Sequence, residues 1–227
     1  MAAAEGTLGG GAAAAVLSSL FPSGVATALL AGQLPVHPLL EAELRAVEQA
    51  GEQRRAEFAA GRSCARSALA TLGVGACAIE MNADRSPRWP HGFAGSIAHT
   101  RGCAAAAVAP VSRVRALGLD LERCVQFDAR LVADICTPDE REWLDTLVPA
   151  ARGDAATLLF SAKEAFYKCQ YALTQRWLEF QQVSIEVAGA QLHVARAPDD
   201  LLALPWHGRH GLADGIVYAG FSLACAA

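Results

Sequence analysis

Residues 157–172, Thr-Leu-Leu-Phe-Ser-Ala-Lys-Glu-Ala-Phe-Tyr-Lys-Cys-Gln-Tyr-Ala, carry the pattern from which the rest of the chain is read. Leu158, Ala162, Ala165, Phe166, Cys169 and Ala172 recur at three- and four-residue steps, which makes one apolar helical stripe and predicts a helix over 154–173. Glu164 and Lys168 stand four apart and share a different face. Lys163 sits beside Glu164, about a quarter-turn away. The chain has 19 basic residues, and its only two lysines, Lys163 and Lys168, both fall in this stretch. Lysine offers a compact, mobile ammonium, whereas arginine offers a rigid fork that stays protonated. Taken alone, a Glu and a Lys four apart read as an ordinary solvated pair. The rest of the chain changes that reading.

At 227 residues the protein can bury a full core as one large domain or two small ones. Its net charge of −4 argues against a general nucleic-acid surface, so any phosphate site must be a local basic pocket. No uninterrupted apolar run reaches the length of a membrane span, and the Ala/Gly-rich start lacks the basic residues of a secretory signal. The 7 cysteines form no Cys-x-x-Cys pair and mostly sit among small apolar residues. They read as buried thiols of a reducing, cytoplasmic protein without a zinc site.

Outward from the central stretch, residues 1–15 read as a disordered tail and 16–35 as a strand and turn. A polar helix is expected over 37–51 and a longer one over 53–72, with Arg54, Arg62 and Arg66 off its apolar stripe. Residues 79–92 read as a loop. Two strands then flank a polar turn carrying His99, where Ser96, His99, Thr100 and Arg101 crowd together as a candidate oxyanion or phosphate contact. In the strand 116–122, Asp120 and Glu122 project to one side while Leu119 and Leu121 point into the core. Two adjacent carboxylates repel unless a cation or proton lies between them, and Gly118 permits close backbone approach. Thr137-Pro138-Asp139-Glu140 is a helix start, with Trp143 and Leu144 facing the core. Strands follow over 181–188 and 190–196 around Gly189, and over 216–224. The order β, α, β-β recurs in each half. It predicts an α/β (α+β) fold of two related halves, 16–112 and 113–227, although no sequence repeat is evident.

Asp120, Glu122 and Glu164 are three oxygen ligands suited to one Mg²⁺ (or Mn²⁺), and lysines beside them suit a diphosphate. At this point the chain resembles the broad-range 4′-phosphopantetheinyl transferases, with particular likeness to the siderophore- and polyketide-associated, enterobactin-synthase-component-D type. The resemblance rests on residues 54–69, 87–99 (Pro-Arg-Trp-Pro-His-Gly-Phe-Ala-Gly-Ser-Ile-Ala-His), 118–122 (Gly-Leu-Asp-Leu-Glu) and 160–168 (Phe-Ser-Ala-Lys-Glu-Ala-Phe-Tyr-Lys), with 173–178 as a weaker fifth stretch. It implies two pseudo-symmetric halves with the active site between them. It implies coenzyme A as donor and a serine of an acyl or peptidyl carrier protein as acceptor, in polyketide, non-ribosomal peptide or fatty-acid synthesis. By the same resemblance Asp120, Glu122 and Glu164 hold Mg²⁺, and Glu164 is the general base. Lys163 and Lys168 neutralise the diphosphate, with Lys163 able to protonate or shield the departing 3′,5′-ADP. His99 meets the 3′-phosphate, and Arg54 and Arg62 lie near the nucleotide. The loop that often carries a lysine here has Glu80-Met81-Asn82, and Arg85 stands as its substitute. A monomer is expected. The competing readings are a silent coenzyme A or carrier-binding module and a metal-dependent coenzyme A hydrolase.

Overall fold

The computed structural model describes residues 10–32, 38–124 and 129–225. In chain order these form α1 (Gly10–Ser19), β1 (Ala26–Ala31), α2 (Glu41–Leu44), α3 (Glu52–Thr71), β2 (Phe93–Thr100), β3 (Cys103–Pro110) and β4 (Val114–Arg123). Then come α4 (Ala129–Ile135), α5 (Pro138–Thr146), α6 (Pro149–Thr174), β5 (Ser184–Ala188), β6 (Gln191–Arg196), α7 (Asp199–Leu202), β7 (Trp206–Ala213) and β8 (Ile216–Ala224). The class is the expected mixture of helix and sheet. Every strand pairing is antiparallel, which makes it the α+β form.

Two sheets organise the chain, one of three strands in the order β1-β3-β2 and one of five in the order β4-β8-β7-β6-β5. Alternation decides what each strand faces. On β3, Ala104, Ala106 and Val108 pack with Cys64, Ala65, Ala68 and Leu69 of α3. The intervening Cys103, Ala105, Ala107 and Ala109 pack with Leu17 of α1 and with Leu117, Leu119 and Leu121 of β4. The leucines of β4 therefore face the core shared by the two sheets. Gly118, Asp120 and Glu122 fall on the opposite face, towards α6. β2 and β4 are edge strands of their own sheets, and the two edges meet: the Leu119 N–H donates to Ser96 Oγ at 3.0 Å.

Helix α6 sits in the larger core, where Leu159, Ala162, Ala165, Phe166 and Cys169 pack with Val217, Ala219 and Phe221 of β8. A Cβ on Gly118 would lie 1.9 Å from the Ala165 carbonyl oxygen and 2.7 Å from Cys169 N. Only glycine lets β4 pass so close to the α6 backbone, and that contact brings Asp120 and Glu122 to the helix.

Several expectations are corrected. Residues 10–15 are helical rather than part of a disordered tail, because Ala is the best helix former and Ala13, Leu17 and Leu20 bury this helix; residues 1–9 lie outside the described residues. The helix expected over 37–51 is reduced to α2 and a 3-10 turn, Arg45–Val47, and residues 33–37 are outside the description. His99 lies in β2, not in the turn. Helix α6 begins at Pro149, before the expected start. The second half carries α4, α5 and an additional hairpin strand pair, so the halves share a theme without matching element for element. All 7 cysteines are free thiols.

Candidate active site

The site lies where β4 meets α6, at the seam between the sheets. Lys168 extends from α6 across β4, and its Nζ donates to Asp120 Oδ1 at 2.6 Å and to the Leu119 carbonyl at 3.3 Å. Asp120 is 5% exposed, and its second oxygen, Oδ2, is buried with no hydrogen-bond partner. A buried, unpaired carboxylate oxygen is costly, so this atom marks a place for a cation or donor.

The electrostatics draw the remaining acids into the same site. Burial, with Asp120 and Glu164 nearby, pushes the Glu122 carboxyl up to about 7 against the opposing pull of Lys168. Burial also raises Glu164, with Lys168 opposing and Asp120 reinforcing. Burial alone would lower Lys168, but Asp120, Glu164 and Glu122 outweigh it and raise the ammonium above its ordinary value. One cation thus faces three carboxylates, leaving an excess of negative charge that a bound divalent ion would relieve. Among the described residues no three or more His, Cys, Asp or Glu side chains are grouped so that they could hold a metal ion as they stand. The chemistry of the donors, hard carboxylate oxygens with Asp120 Oδ2 left unpaired, suits a hard divalent cation that draws its remaining ligands from elsewhere.

On the other side of the seam stands a basic pair. Arg54 Nη1 lies 2.7 Å from His99 Nε2. A guanidinium can only donate, so Nε2 accepts and the ring is neutral with its proton on Nδ1, which faces Glu57 Oε2 at 3.7 Å. Burial lowers the His99 pKa, with Arg54 and Lys168 adding to the shift. Arg62 lies behind this pair and is 5% exposed. Its Nε donates to the Ile79 carbonyl at 2.6 Å, and its guanidinium covers the Phe58 ring at 4.1 Å. Burial lowers it to about 10. Arg66 is also occupied, donating to both oxygens of the fully buried Glu43.

Ser96 is buried and turned into the seam between the sheets, where its Oγ accepts the Leu119 N–H. Arg85 occupies the left-handed region at φ 69 in a turn where Ser86 N–H and Oγ donate to Asp84 Oδ1. The Tyr171 hydroxyl donates to Asp84 Oδ2 at 3.2 Å and so clasps this turn to α6. The clasp was not visible in the sequence. Arg85 itself forms no ion pair with the three carboxylates.

Lys163 departs from its expected role. Its side chain is 2% exposed, paired with Glu140 at 2.6 Å, and its Nζ also donates to the carbonyls of Ile135 at 2.8 Å and Phe180 at 3.0 Å. An ammonium has three donors and all three are used inside the protein. The quarter-turn that separates it from Glu164 sends it to the buried side of α6. It is therefore not poised at the diphosphate position as a catalytic or phosphate-binding group. Beside Glu164 lies a small open cleft of ≈ 80 Å³, lined by Lys163, Tyr167, Trp177, Leu178, Phe180 and Val183. The sequence reading did not find this cleft, because one of its walls comes from the irregular stretch after α6.

Comparison with known proteins identifies the family. Residues 41–109 match the 4′-phosphopantetheinyl transferase N-terminal domain and residues 116–221 the 4′-phosphopantetheinyl transferase superfamily. The chain is 39% identical over 173 residues to the 4′-phosphopantetheinyl transferase Npt of Nocardia iowensis, covering 75% of this chain and 76% of that one. It is 38% identical over 133 residues to PptT of Mycobacterium tuberculosis, covering 59% and 58%. It is 42% identical over 125 residues to enterobactin synthase component D of Salmonella typhimurium, covering 54% and 50%. Among solved structures, a holo-(acyl-carrier-protein) synthase from Bacillus anthracis in complex with CoA (3′,5′-ADP) overlaps 50% of this chain and 99% of its own at 15% identity and a TM-score of 0.40. The chain belongs to the 4′-phosphopantetheinyl transferase family.

Proposed function

We propose that this transferase takes coenzyme A as donor and moves its 4′-phosphopantetheine arm to a serine of an acyl or peptidyl carrier protein, releasing 3′,5′-ADP. The observation that carries the reading is Asp120, with one oxygen on Lys168 and the other buried and unpaired, on the face of β4 that it shares with Glu122 and that is turned to α6, the helix of Glu164. Asp120, Glu122 and Glu164 would hold Mg²⁺. When bound, that ion supplies charge neutralisation at a diphosphate. Lys168 balances the carboxylates and adds positive charge on the leaving side.

Glu164 takes the proton of the serine hydroxyl. The serine oxygen bonds to the phosphorus on the pantetheine side of the diphosphate, and the bond from that phosphorus to the bridging oxygen breaks. The electron pair departs with 3′,5′-ADP. Arg54 and His99 receive the 3′-phosphate across the seam, with Arg62 held behind them on the Ile79 carbonyl and Arg85 approaching on its clasped turn. The uncharged arm lies in the cleft beside Glu164. The halves 16–112 and 113–227 act as one unit, since the basic pair and the acids come from opposite sides, and a single chain suffices. The free thiols fit a cytoplasmic location.

Intact-mass spectrometry of apo-carrier proteins incubated with the enzyme, coenzyme A and Mg²⁺ tests this. The expected result is a gain of one phosphopantetheine on the carrier, abolished by EDTA. Glu164→Gln should lower turnover by at least about 10²-fold while leaving the thermal midpoint within a few degrees. Wild-type turnover in that variant would remove Glu164 from the mechanism.

A further inference from the structure

Lys163 precedes Glu164 in the chain yet serves a different part of the molecule. Its partner Glu140 is 3% exposed and is itself a junction. Glu140 Oε2 accepts from Thr137 N at 2.7 Å, closing the start of α5, and Oε1 accepts from Ile185 N at 2.8 Å, fixing the start of β5. Through its two carbonyl contacts Lys163 adds the end of α4, at Ile135, and the turn at Phe180. Five segments thus meet at one buried ion pair. One of them, 178–183, forms one wall of the cleft that opens beside Glu164; α6 forms the other, with Tyr167 and with Lys163, whose Nζ is turned inward to its three partners.

The first half contains the same junction without any acid cluster nearby. Glu43 is fully buried and accepts from Leu40 N three residues earlier, from Ile79 N after the main helix, and from Arg66 on that helix. In both halves the cation follows its glutamate by 23 residues. Arg66 stands where Lys163 stands, in a half that holds no diphosphate-binding acids, so the shared task of the two cations is to anchor the fold around the helix.

We infer that Lys163 is a positioning residue: paired with Glu140, it holds residues 178–183 as the wall that seats the uncharged arm of the donor, and it does not touch the donor's phosphates. This rests on the proposed reading of the cleft, although its structural part can be tested independently. Lys163→Met alone leaves Glu140 charged and unpaired in the core and can unfold the protein. The matched variant Lys163→Met with Glu140→Gln removes both charges and keeps one carbonyl oxygen for the backbone donors.

Two measurements on that variant decide the matter. Amide hydrogen exchange needs no substrate and should show faster exchange over 178–183, with β4 and the rest of α6 unchanged; unchanged protection of 178–183 overturns the proposal. Calorimetric binding should show coenzyme A weakened by about tenfold or more, with 3′,5′-ADP, which lacks the arm, unchanged within about twofold. Equal loss for both ligands would make Lys163 a phosphate contact and overturn it, as would no loss for either. If wild-type protein binds neither ligand, the reading of the donor fails, and the exchange result alone judges the anchoring role.

Discussion

The two halves of the molecule solve one packing problem, a long helix laid on an antiparallel sheet, with very different tolerance. In the first half the close point is Gly61 on α3, where a Cβ would meet only the Ile97 Cγ2 methyl, at 2.7 Å. In the second half the close point is Gly118 on β4, where a Cβ would meet the backbone of α6 at 1.9 Å. The Ile97 methyl sits on a β-branched carbon and gives only by a turn about χ1 or a small shift of its strand, yet a helix backbone gives less still. The buried ion pairs differ in the same sense: the Arg66 side chain is 17% exposed and that of Lys163 is 2%. The half that carries the carboxylates is the tighter one, because Asp120 meets Lys168 only if β4 presses against α6. The first half supplies Arg54 and His99, long or rotatable groups that can tolerate a looser frame.

The largest effect that tests this contrast is a matched pair of glycine substitutions. Gly118→Ala should cost more than about 3 kcal/mol, beyond the usual range for overpacking, and leave little folded protein. Gly61→Ala should cost no more than about 2 kcal/mol, because the roughly 1 kcal/mol advantage of Ala over Gly in a helix offsets part of the displacement of the Ile97 methyl. Thermal melts of the two variants give the answer. Equal losses would mean that the halves are equally tight and that the close approach at Gly118 has no special role.

A smaller difference should separate the two buried glutamates. Glu140→Gln strands the Lys163 ammonium, and breaking a fully buried pair in this way costs about 3–5 kcal/mol. Glu43→Gln leaves Arg66 with partial access to water and its Nη2 donation to Pro38, so about 1–3 kcal/mol is expected. Chemical denaturation compares them. Equal costs would show that exposure of the cation does not govern the junction. Loss of transfer activity in folded Glu43→Gln, but not in Glu140→Gln, would reverse the assignment of which junction supports the cleft.

These contrasts also mark how far the sequence could be read. The stripe from Leu158 to Ala172 and the alternation around Asp120 were legible because helical and strand periods leave regular traces, and the acids they carry influence one another electrostatically. Lys163 was not legible. A helical wheel separates it from Glu164 by an angle, but only the Thr137–Glu140 helix start, folded against α6, decides that this angle leads into the core. Arg62 and Arg66 were misplaced for the same reason, since nothing local announces Glu43 and the Ile79 carbonyl opposite them. Strand β7 was missed because Gly208, His210 and Gly211 break its apolar alternation; it is held by pairing with β8, where Gly208 makes room for the Phe221 ring. The Ala-rich start was read as unstructured by composition, although Leu17, Leu20 and Phe21 pin α1 to the core.

The smallest expected effect concerns the charge that the first half contributes. In the free protein His99 accepts from Arg54, and burial, reinforced by Arg54 and Lys168, holds its pKa below the ordinary 6.5. The ring is therefore neutral at pH 7. A phosphate placed against it favours the imidazolium, so binding raises the pKa and takes up a proton. The sign follows: affinity for 3′,5′-ADP strengthens as pH falls from about 8 to about 6, and levels off once the free ring is itself protonated, with a limit of about tenfold per pH unit for one proton. Calorimetry without metal isolates this effect from the carboxylates. In His99→Gln the part of the slope due to the ring should vanish, leaving only the titration of the ligand's own phosphates. Identical slopes in the two proteins would detach His99 from the 3′-phosphate and leave Arg54 as the group through which the first half meets the nucleotide.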